Sequence, residues 1–313
     1  MINKKQNFFD QLDGGWDDII ADTYKEHTYY IPPTRQLGQY KAIDGQEIDV
    51  KQIPNKQMLI DEDVDIIPPK CFLYADTIMG PIEFPDNISL IDNQAFRFCT
   101  GINNYVKLPA GITRVTTLSF SRSTITELIL GTNVKTIEES AFSNCKKLTK
   151  IVWNDKLESI GVLAFDNCIG LTGDLILPDF VSYIAKYAFI YCTGLNGSLI
   201  LPKNLEKIGE QAFKYTNFKY VRTNSNLNVI GHECFGNCKN LETVEFEEGI
   251  ESIFSYAFNG CKKLKGSIKI PKSVNFIGEY AFKGCTSLEK IYVPSHLELP
   301  VLTDNDNIEI IQY

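Results

Sequence analysis

One residue type, phenylalanine, recurs along most of this chain at nearly constant spacing, and this repeat limits the possible folds more than any other feature. Consecutive members of the series lie 22 to 24 residues apart. The series is Phe72, Phe96, Phe120, Phe142, Phe165, Phe189, Phe213, Phe235, Phe258 and Phe282. A fixed period of this length is typical of solenoids, in which each unit buries its apolar side against its neighbours. We therefore expect one stack of ten coils rather than separate compact domains.

Three further positions repeat with the phenylalanine. A β-branched residue stands five positions before it, and small residues stand immediately before it and three positions after it, as Ile160, Ala164 and Cys168 do around Phe165. A short apolar alternation follows, such as Leu-Ile-Leu-Pro at 175–178. The alternation predicts a strand whose outer two residues face the core. The i, i+4 spacing of the Ile-x-x-x-Ala-Phe segment predicts a single helical turn. Stacking then gives parallel strands about 4.8 Å apart.

One complete unit spans residues 277–294, with the sequence Ile-Gly-Glu-Tyr-Ala-Phe-Lys-Gly-Cys-Thr-Ser-Leu-Glu-Lys-Ile-Tyr-Val-Pro. It resembles the BspA-like (Treponema pallidum type) class of leucine-rich repeats, and the resemblance covers about residues 57–294. The resemblance implies an α/β repeat solenoid, a right-handed coil with one parallel β-sheet face and short helical turns on the other. It also implies adhesion or recognition at a surface, and it brings no catalytic residues.

The repeat divides the chain into three parts. Residues 57–294 hold the ten motif units, and residues 1–56, which lack the repeat, are expected either to cap the solenoid or to form a docking arm. Residues 295–313 are expected to form a C-terminal cap, in which 307–311 could be a last edge strand. The spacing itself repeats every four units, so that Phe72 and Phe165 lie 93 residues apart. We interpret this longer period as the duplication of a four-coil block.

Composition excludes several classes of function. The chain has 31 Lys and Arg against 39 Asp and Glu, a net charge of −8, which argues against binding to nucleic acid or anionic lipid. No apolar run approaches the roughly 18–20 residues of a membrane span. The first ten residues lack the apolar region of a secretory signal. We expect no nucleic-acid partner and no membrane span, and the compartment stays open between an intracellular, a particle-associated and a non-classically surface-exposed location.

Residues that often carry chemistry fall on structural positions. Seven of the nine cysteines stand three positions after a repeat phenylalanine, and the other two, Cys71 and Cys234, stand just before one. This pattern predicts reduced thiols that fill the core. The segment 232–238 (His-Glu-Cys-Phe-Gly-Asn-Cys) is a weak match to a metal site, because both of its cysteines are core positions. The acidic segments 61–65 and 304–307 lack the twelve-residue ligand pattern of a calcium-binding loop. We expect no cofactor, no metal and no enzymatic activity.

The middle residue of each predicted strand points away from the core, onto the exposed face of the sheet. Four consecutive outward positions are apolar, and the flanking positions are charged or aromatic. The candidate partner-binding residues are Ile129, Val152, Ile176 and Ile200, flanked by Arg222 and Tyr292 and rimmed by Lys150, Asp174, Ser198 and Tyr220. An apolar centre with a polar rim is typical of protein interfaces. The alternative explanation is the ordinary strand preference of Ile and Val.

Two functions are compatible with these features. The first is a non-enzymatic, adhesin-like recognition module that binds a protein or a surface glycan through the exposed sheet face. The second is a structural component of a large assembly, such as a viral or phage particle, attached to its assembly partner through residues 1–56.

Overall fold

The computed structural model describes residue 60, residues 64–75 and residues 78–313. The predicted cap or docking arm, residues 1–56, lies outside these residues. The described part is a parallel-strand β-solenoid that follows the repeat, with one hydrophobic core running through all of its coils.

Successive coils contribute strands to two faces of the solenoid, and within each face the paired strands are parallel. The 21 strands of the described residues are numbered in chain order. Face B consists of the two-residue strands that end at the β-branched position of the repeat. They are β1 (Ile66–Ile67), β3 (Leu90–Ile91), β5 (Arg114–Val115), β7 (Thr136–Ile137), β9 (Ser159–Ile160), β11 (Tyr183–Ile184), β13 (Lys207–Ile208), β15 (Val229–Ile230), β17 (Ser252–Ile253) and β19 (Phe276–Ile277).

Face A consists of the strands predicted from the apolar alternation, with one more at the C-terminal end. They are β2 (Ile82–Glu83), β4 (Tyr105–Lys107), β6 (Glu127–Ile129), β8 (Lys150–Val152), β10 (Leu175–Ile176), β12 (Ser198–Ile200), β14 (Tyr220–Arg222), β16 (Thr243–Glu245), β18 (Gly266–Lys269), β20 (Leu288–Val293) and β21 (Glu309–Gln312). The last strand, β21, lies in the predicted C-terminal cap and pairs in parallel with β20.

The hydrogen-bonded ladders have three interruptions. Face B is interrupted between β3 and β5, and face A between β8 and β10 and between β16 and β18. In face A, each interruption falls where a coil carries one more residue between its buried leucine and the inward residue of its strand than the coil before it. Gly173 and Gly266 lie at these places, with φ of 76° and 68°, a left-handed conformation that glycine adopts without steric cost. They are 93 residues apart, the same period as the four-coil block.

The predicted column of phenylalanine rings is present. All ten repeat phenylalanines are buried, and each ring stacks on the next with centroids 4.8 to 5.5 Å apart and planes within 2° to 17° of parallel. The residue immediately before each phenylalanine is small and buried, which lets neighbouring coils approach to this distance.

The predicted short helical turns are wrong, because the described residues contain no helix. Each phenylalanine lies instead in a run of tight turns, which we call the turn segment and which extends from three residues before it to two after it. The residues two before and two after every repeat phenylalanine have φ between +49° and +72°, as Leu163 (56°) and Asn167 (56°) do around Phe165. These are left-handed values, and two of them four residues apart cannot belong to a right-handed helix.

Hydrogen bonds between coils explain this conformation. The amides of Leu163, Phe165 and Asn167 donate to carbonyls of the next coil at 3.3, 2.8 and 2.8 Å. The amides between them donate three residues back within their own coil, Ala164 to Gly161 at 3.3 Å and Asp166 to Leu163 at 3.1 Å. A helix would satisfy each amide four residues back in its own coil. The stacked arrangement joins neighbouring coils on this side as well, and it forms a third set of inter-coil bonds beside faces A and B.

The resemblance implied one sheet face, whereas the structure has two. The β-branched residue five positions before each phenylalanine, which was expected in a helical turn, is the inward residue of a face B strand. Ile184, for example, is buried and pairs with Ile160 in the preceding coil and Ile208 in the next. A pair of residues is too short to show the alternation by which a strand is recognised.

Candidate binding surface

The four predicted apolar positions lie on the outward side of face A, as the alternation requires. Ile176 is 76% exposed and Ile200 is 58% exposed, whereas Val152 is 38% exposed and Ile129 is half-buried. We call these four residues the stripe. Exposure therefore increases toward the middle of the solenoid, and most of the apolar surface of the stripe belongs to two isoleucines.

The stripe consists of two hydrogen-bonded pairs. Ile129 is in register with Val152 across β6 and β8, and Ile176 is in register with Ile200 across β10 and β12. The ladder is interrupted between β8 and β10, so the two pairs belong to different sheets. Arg222 continues the second pair on β14, directly beside Ile200.

The polar residues beside the stripe are bonded along the stack. Lys150 forms an ion pair of 2.7 Å with Glu127. The Asp174 carboxylate accepts a hydrogen bond of 2.6 Å from the Ser198 amide. Because these groups are satisfied within the chain, they frame the isoleucines with little unsatisfied polarity.

The polar residues at the C-terminal end of this rim are also bonded to side chains of the neighbouring coil. The Tyr220 hydroxyl donates to Glu245 at 2.6 Å, and burial together with this carboxylate raises the pKa of Tyr220. The Arg222 guanidinium donates twice to Glu247, at 3.0 and 2.6 Å, and this partner raises the pKa of Arg222. Both side chains therefore keep their ordinary charge state near neutral pH. They complete a polar border on the C-terminal side of Ile200.

Tyr292, the last candidate residue, is not brought to the stripe. It lies on β20, where it is half-buried between Lys269 of β18 and Ile311 of β21. Three strands, β14, β16 and β18, and the second interruption of face A separate it from Ile200. Its place in a common site with the isoleucines is therefore not supported by the arrangement of the strands.

The cysteines belong to the core. All nine lie within the described residues, all are buried, and none forms a disulfide. The seven that follow a repeat phenylalanine by three positions each direct the thiol at the carbonyl of the phenylalanine one coil earlier, at 2.8 to 3.2 Å. Burial raises the pKa of Cys71, Cys145 and Cys285 to about 12. The thiolate is the reactive form, so these side chains are not available as nucleophiles in the folded chain.

The residues considered for metal binding do not converge. Among the described residues, no group of three or more His, Cys, Asp and Glu side chains is arranged to hold a metal ion. His232 packs edge-on against Tyr256, and Cys234 and Cys238 face the core. Most of the acidic segment 61–65 lies outside the described residues. In the described part of the chain there is also no helix long and apolar enough to cross a membrane.

Sequence patterns did not predict two exposed aromatic residues and a groove that lie beside face B. Phe180 is 60% exposed and Tyr183 is 40% exposed, and they flank Ser182. Six polar residues of three consecutive coils line a groove of about 390 Å³ beside face B. We call it the polar groove, and its residues are Ser182, Asn204, Glu206, Ser225, Asn226 and Asn228.

The stacked parallel coils, the internal column of phenylalanines and the outward sheet face define a leucine-rich-repeat solenoid. The family described as the BspA type leucine rich repeat region matches residues 65–196 and 196–300, in six copies. These matches cover most of the chain, and the chain therefore belongs to the BspA type leucine-rich repeat family.

Several solved structures are similar to this chain. A leucine-rich repeat protein from Bacteroides ovatus is 20% identical over 81% of this chain and 82% of its own, with a TM-score of 0.49. The pneumococcal vaccine antigen PcpA is 20% identical over 83% of this chain and 77% of its own, also with a TM-score of 0.49. The T. pallidum protein TpLRR is 19% identical over 83% of this chain and 91% of its own, with a TM-score of 0.45. None of the curated proteins compared with the chain matches it.

Proposed function

We propose that this chain is a non-enzymatic recognition module that binds another protein through the stripe on face A. The observation that carries the proposal is the pair Ile176 and Ile200, which stand side by side in register and are 76% and 58% exposed. A single exposed isoleucine is ordinary on a protein surface. Two neighbouring ones that stand in register on adjacent strands form a contiguous apolar patch, which favours an interaction site.

A protein partner fits the stripe better than a glycan does. Isoleucine side chains offer no hydrogen bond to a sugar hydroxyl, and they gain free energy by removing apolar surface from water. The charged groups nearest to them are already paired, Lys150 with Glu127 and Arg222 with Glu247. An apolar centre inside a paired polar rim has the anatomy of a protein interface.

A non-enzymatic role is consistent with the chemistry of the described residues. The cysteines are buried thiols, and the family match brings no catalytic residues. The alternative function, a structural part of a large particle, depends on attachment through residues 1–56. That segment lies outside the described residues, so the alternative remains a prediction from the sequence.

The test replaces both central isoleucines, Ile176→Glu with Ile200→Glu, in the full chain. Burying the exposed parts of two isoleucines is worth about 2–4 kcal/mol, so loss of the pair should weaken binding roughly 30- to 700-fold. The matched control is Ile169→Glu, which changes an isoleucine that is 42% exposed in the loop after a turn segment.

Immobilised wild-type chain and both variants are exposed to extracts of the producing organism. A protein retained by the wild type is purified, and its affinity for each variant is measured by calorimetry. We expect the control to bind as the wild type does and the double variant to lose binding with an unchanged melting temperature. Equal affinity of the double variant would place the binding surface elsewhere.

A further inference from the structure

We propose that the polar groove is a second binding site, for a neutral saccharide. It lies beside face B, whereas the stripe lies on face A, so this inference does not depend on the proposed protein partner. Its volume of about 390 Å³ falls at the small end of the roughly 300–1,000 Å³ of ligand sites. The chemistry of its lining and of the aromatic residues beside it identifies the class of ligand.

The groove is built by three stacked coils. Ser182, Glu206 and Asn228 each stand immediately before a face B strand, at the start of β11, β13 and β15. The Glu206 amide donates to the Ser182 carbonyl at 3.0 Å, and the Asn228 amide donates to the Glu206 carbonyl at 3.1 Å. The three side chains therefore follow one another along the stack as a row with a fixed backbone, which gives a preformed surface.

The residues that line the groove carry less charge than other residues of the same edge. Lys135 pairs with Glu158 at 2.9 Å in the preceding coils, and Asp179 pairs with Lys203 at 2.9 Å beside the groove, in two of the coils that build it. The six groove residues include one carboxylate, that of Glu206, and no cation. An anionic ligand would find no positive partner there, and a metal ion would find a single charged oxygen. The lining therefore favours a ligand that is polar and uncharged.

Four of these side chains keep their hydrogen-bonding capacity. Those of Asn204, Glu206, Ser225 and Asn228 form no hydrogen bond with another residue of the described part of the chain. Ser182 and Asn226 are anchored by bonds to the carbonyls of Glu158 at 3.3 Å and Lys203 at 2.7 Å. An amide both donates and accepts hydrogen bonds, and a carboxylate accepts several. Hydroxyl groups, which also donate and accept, are the natural partners of this set.

An exposed aromatic ring stands at the end of the row. Phe180 lies four residues before the end of β11, the position that Asn204 and Asn226 hold relative to β13 and β15. The ring is 60% exposed, and the nearby Tyr183 is 40% exposed. The C–H face of a sugar ring is apolar and can cover an aromatic ring while its hydroxyls reach the amides. An exposed ring beside a row of amides and one carboxylate matches these two sides of a saccharide.

The experiment uses the full chain and a panel of neutral trisaccharides, namely maltotriose, cellotriose, xylotriose and N,N′,N″-triacetylchitotriose, with saturation-transfer NMR as the readout. We expect saturation transfer to at least one of them at millimolar concentration. Phe180→Ala and Glu206→Gln should each weaken its binding by about tenfold, because each removes one of the two kinds of contact. Phe276→Ala is the matched control, since this face B phenylalanine is 47% exposed and lies outside the groove.

The outcomes separate cleanly. Loss of binding in both groove variants, with wild-type melting temperatures and an unaffected control, supports the site. A signal that survives Phe180→Ala and Glu206→Gln would place saccharide binding elsewhere, and no saturation transfer to any of the four sugars would overturn the proposal. Neither result would bear on the stripe, because Ile176 and Ile200 are unchanged in every variant.

Discussion

Replacing one ring in the middle of the phenylalanine column tests the physical basis of the whole fold. Phe165 is fully buried, and its ring lies between those of Phe142 at 5.3 Å and Phe189 at 5.2 Å. The indole of Trp153 meets its edge at 5.7 Å. Phe165→Ala would leave a cavity bounded by three aromatic rings of three successive coils. Rigid stacked coils have little freedom to close such a cavity.

The expected cost is about 3–5 kcal/mol of unfolding free energy, the range for a phenylalanine truncated in a close-packed core. Each aromatic contact contributes about 0.5–1.5 kcal/mol beyond its area, and Phe165 loses three. Phe282→Ala provides a graded comparison, because Phe282 has one ring neighbour in the column, Phe258 at 5.4 Å. We therefore expect Phe282→Ala to cost about 1–3 kcal/mol less than Phe165→Ala.

Urea unfolding followed by circular dichroism measures these differences. The matched control is Phe180→Ala, the same substitution 15 residues further along the chain at a residue that is 60% exposed. It should change stability by about 0.5 kcal/mol or less. Because each coil contacts only its neighbours, Phe165→Ala should also divide the single transition into two. A Phe165→Ala variant no less stable than Phe180→Ala would refute the claim that the column holds the coils together.

Two further predictions concern titratable groups whose pKa burial raises. All nine cysteines are buried, and burial raises the pKa of Cys145, for example, to about 12. Iodoacetamide should therefore label the nine cysteines together and only on unfolding; rapid labelling of the native chain, seen by mass spectrometry, would contradict this. Burial also raises the pKa of Asp166, against the opposing hydrogen bonds from Ser143 and Asn144. The folded chain therefore holds the proton of Asp166 to higher pH than the unfolded chain does. The stability that the protonated carboxyl contributes is then lost as pH rises through the raised pKa. The unfolding free energy of Asp166→Asn relative to the wild type should therefore increase from pH 4 to pH 7, and a constant difference in urea titrations would refute the assignment.

The column could be predicted from the sequence because ten units repeat the same constraint. A buried ring needs a small neighbour where the next coil approaches, and the residue before each phenylalanine is Ala, Ser or Cys. The direction of the face A side chains followed from strand alternation. Ile176 and Ile200 point outward for the same reason that Leu175 and Leu199 are buried. Both predictions depend on geometry within one coil, which sequence patterns describe well.

The turn segments could not be predicted because their conformation depends on the next coil. Leu163 and Tyr187 adopt left-handed conformations that cost roughly 1–2 kcal/mol per residue in isolation. Their amides bond to the carbonyls of Lys186 and Glu210, each one coil further on, at 3.3 and 2.9 Å. Neither residue type favours such a conformation, so no local pattern reveals it. Only contacts between coils, about 23 residues apart in the sequence, stabilise it.

Sequence patterns predicted the stripe but not the polar groove, because the groove is formed between coils. The stripe could be found by following one strand position along the repeat, although its graded exposure, from half-buried Ile129 to Ile176, depends on the packing of neighbouring side chains. The polar groove is formed between coils by residues such as Asn204 and Asn228, and within its own unit each of them is an ordinary polar residue. The groove is recognised by side chains of neighbouring coils that do not pair with one another, and these are visible only once the register between coils is known.

Pairing between coils gives a general criterion for where this solenoid meets other molecules. Successive coils place equivalent side chains about 5 Å apart, so a charged residue at one position faces its counterpart at the next and is stable when the two are opposite in charge. Lys135 with Glu158 and Lys150 with Glu127 follow this rule. The isoleucines of the stripe and the amides of the polar groove do not, since the first offer no polar contact and the second keep unused donors and acceptors. A surface of mutually satisfied charges has little left to offer a partner, whereas the stripe and the polar groove, which we assign to binding, lack such pairs among their own residues.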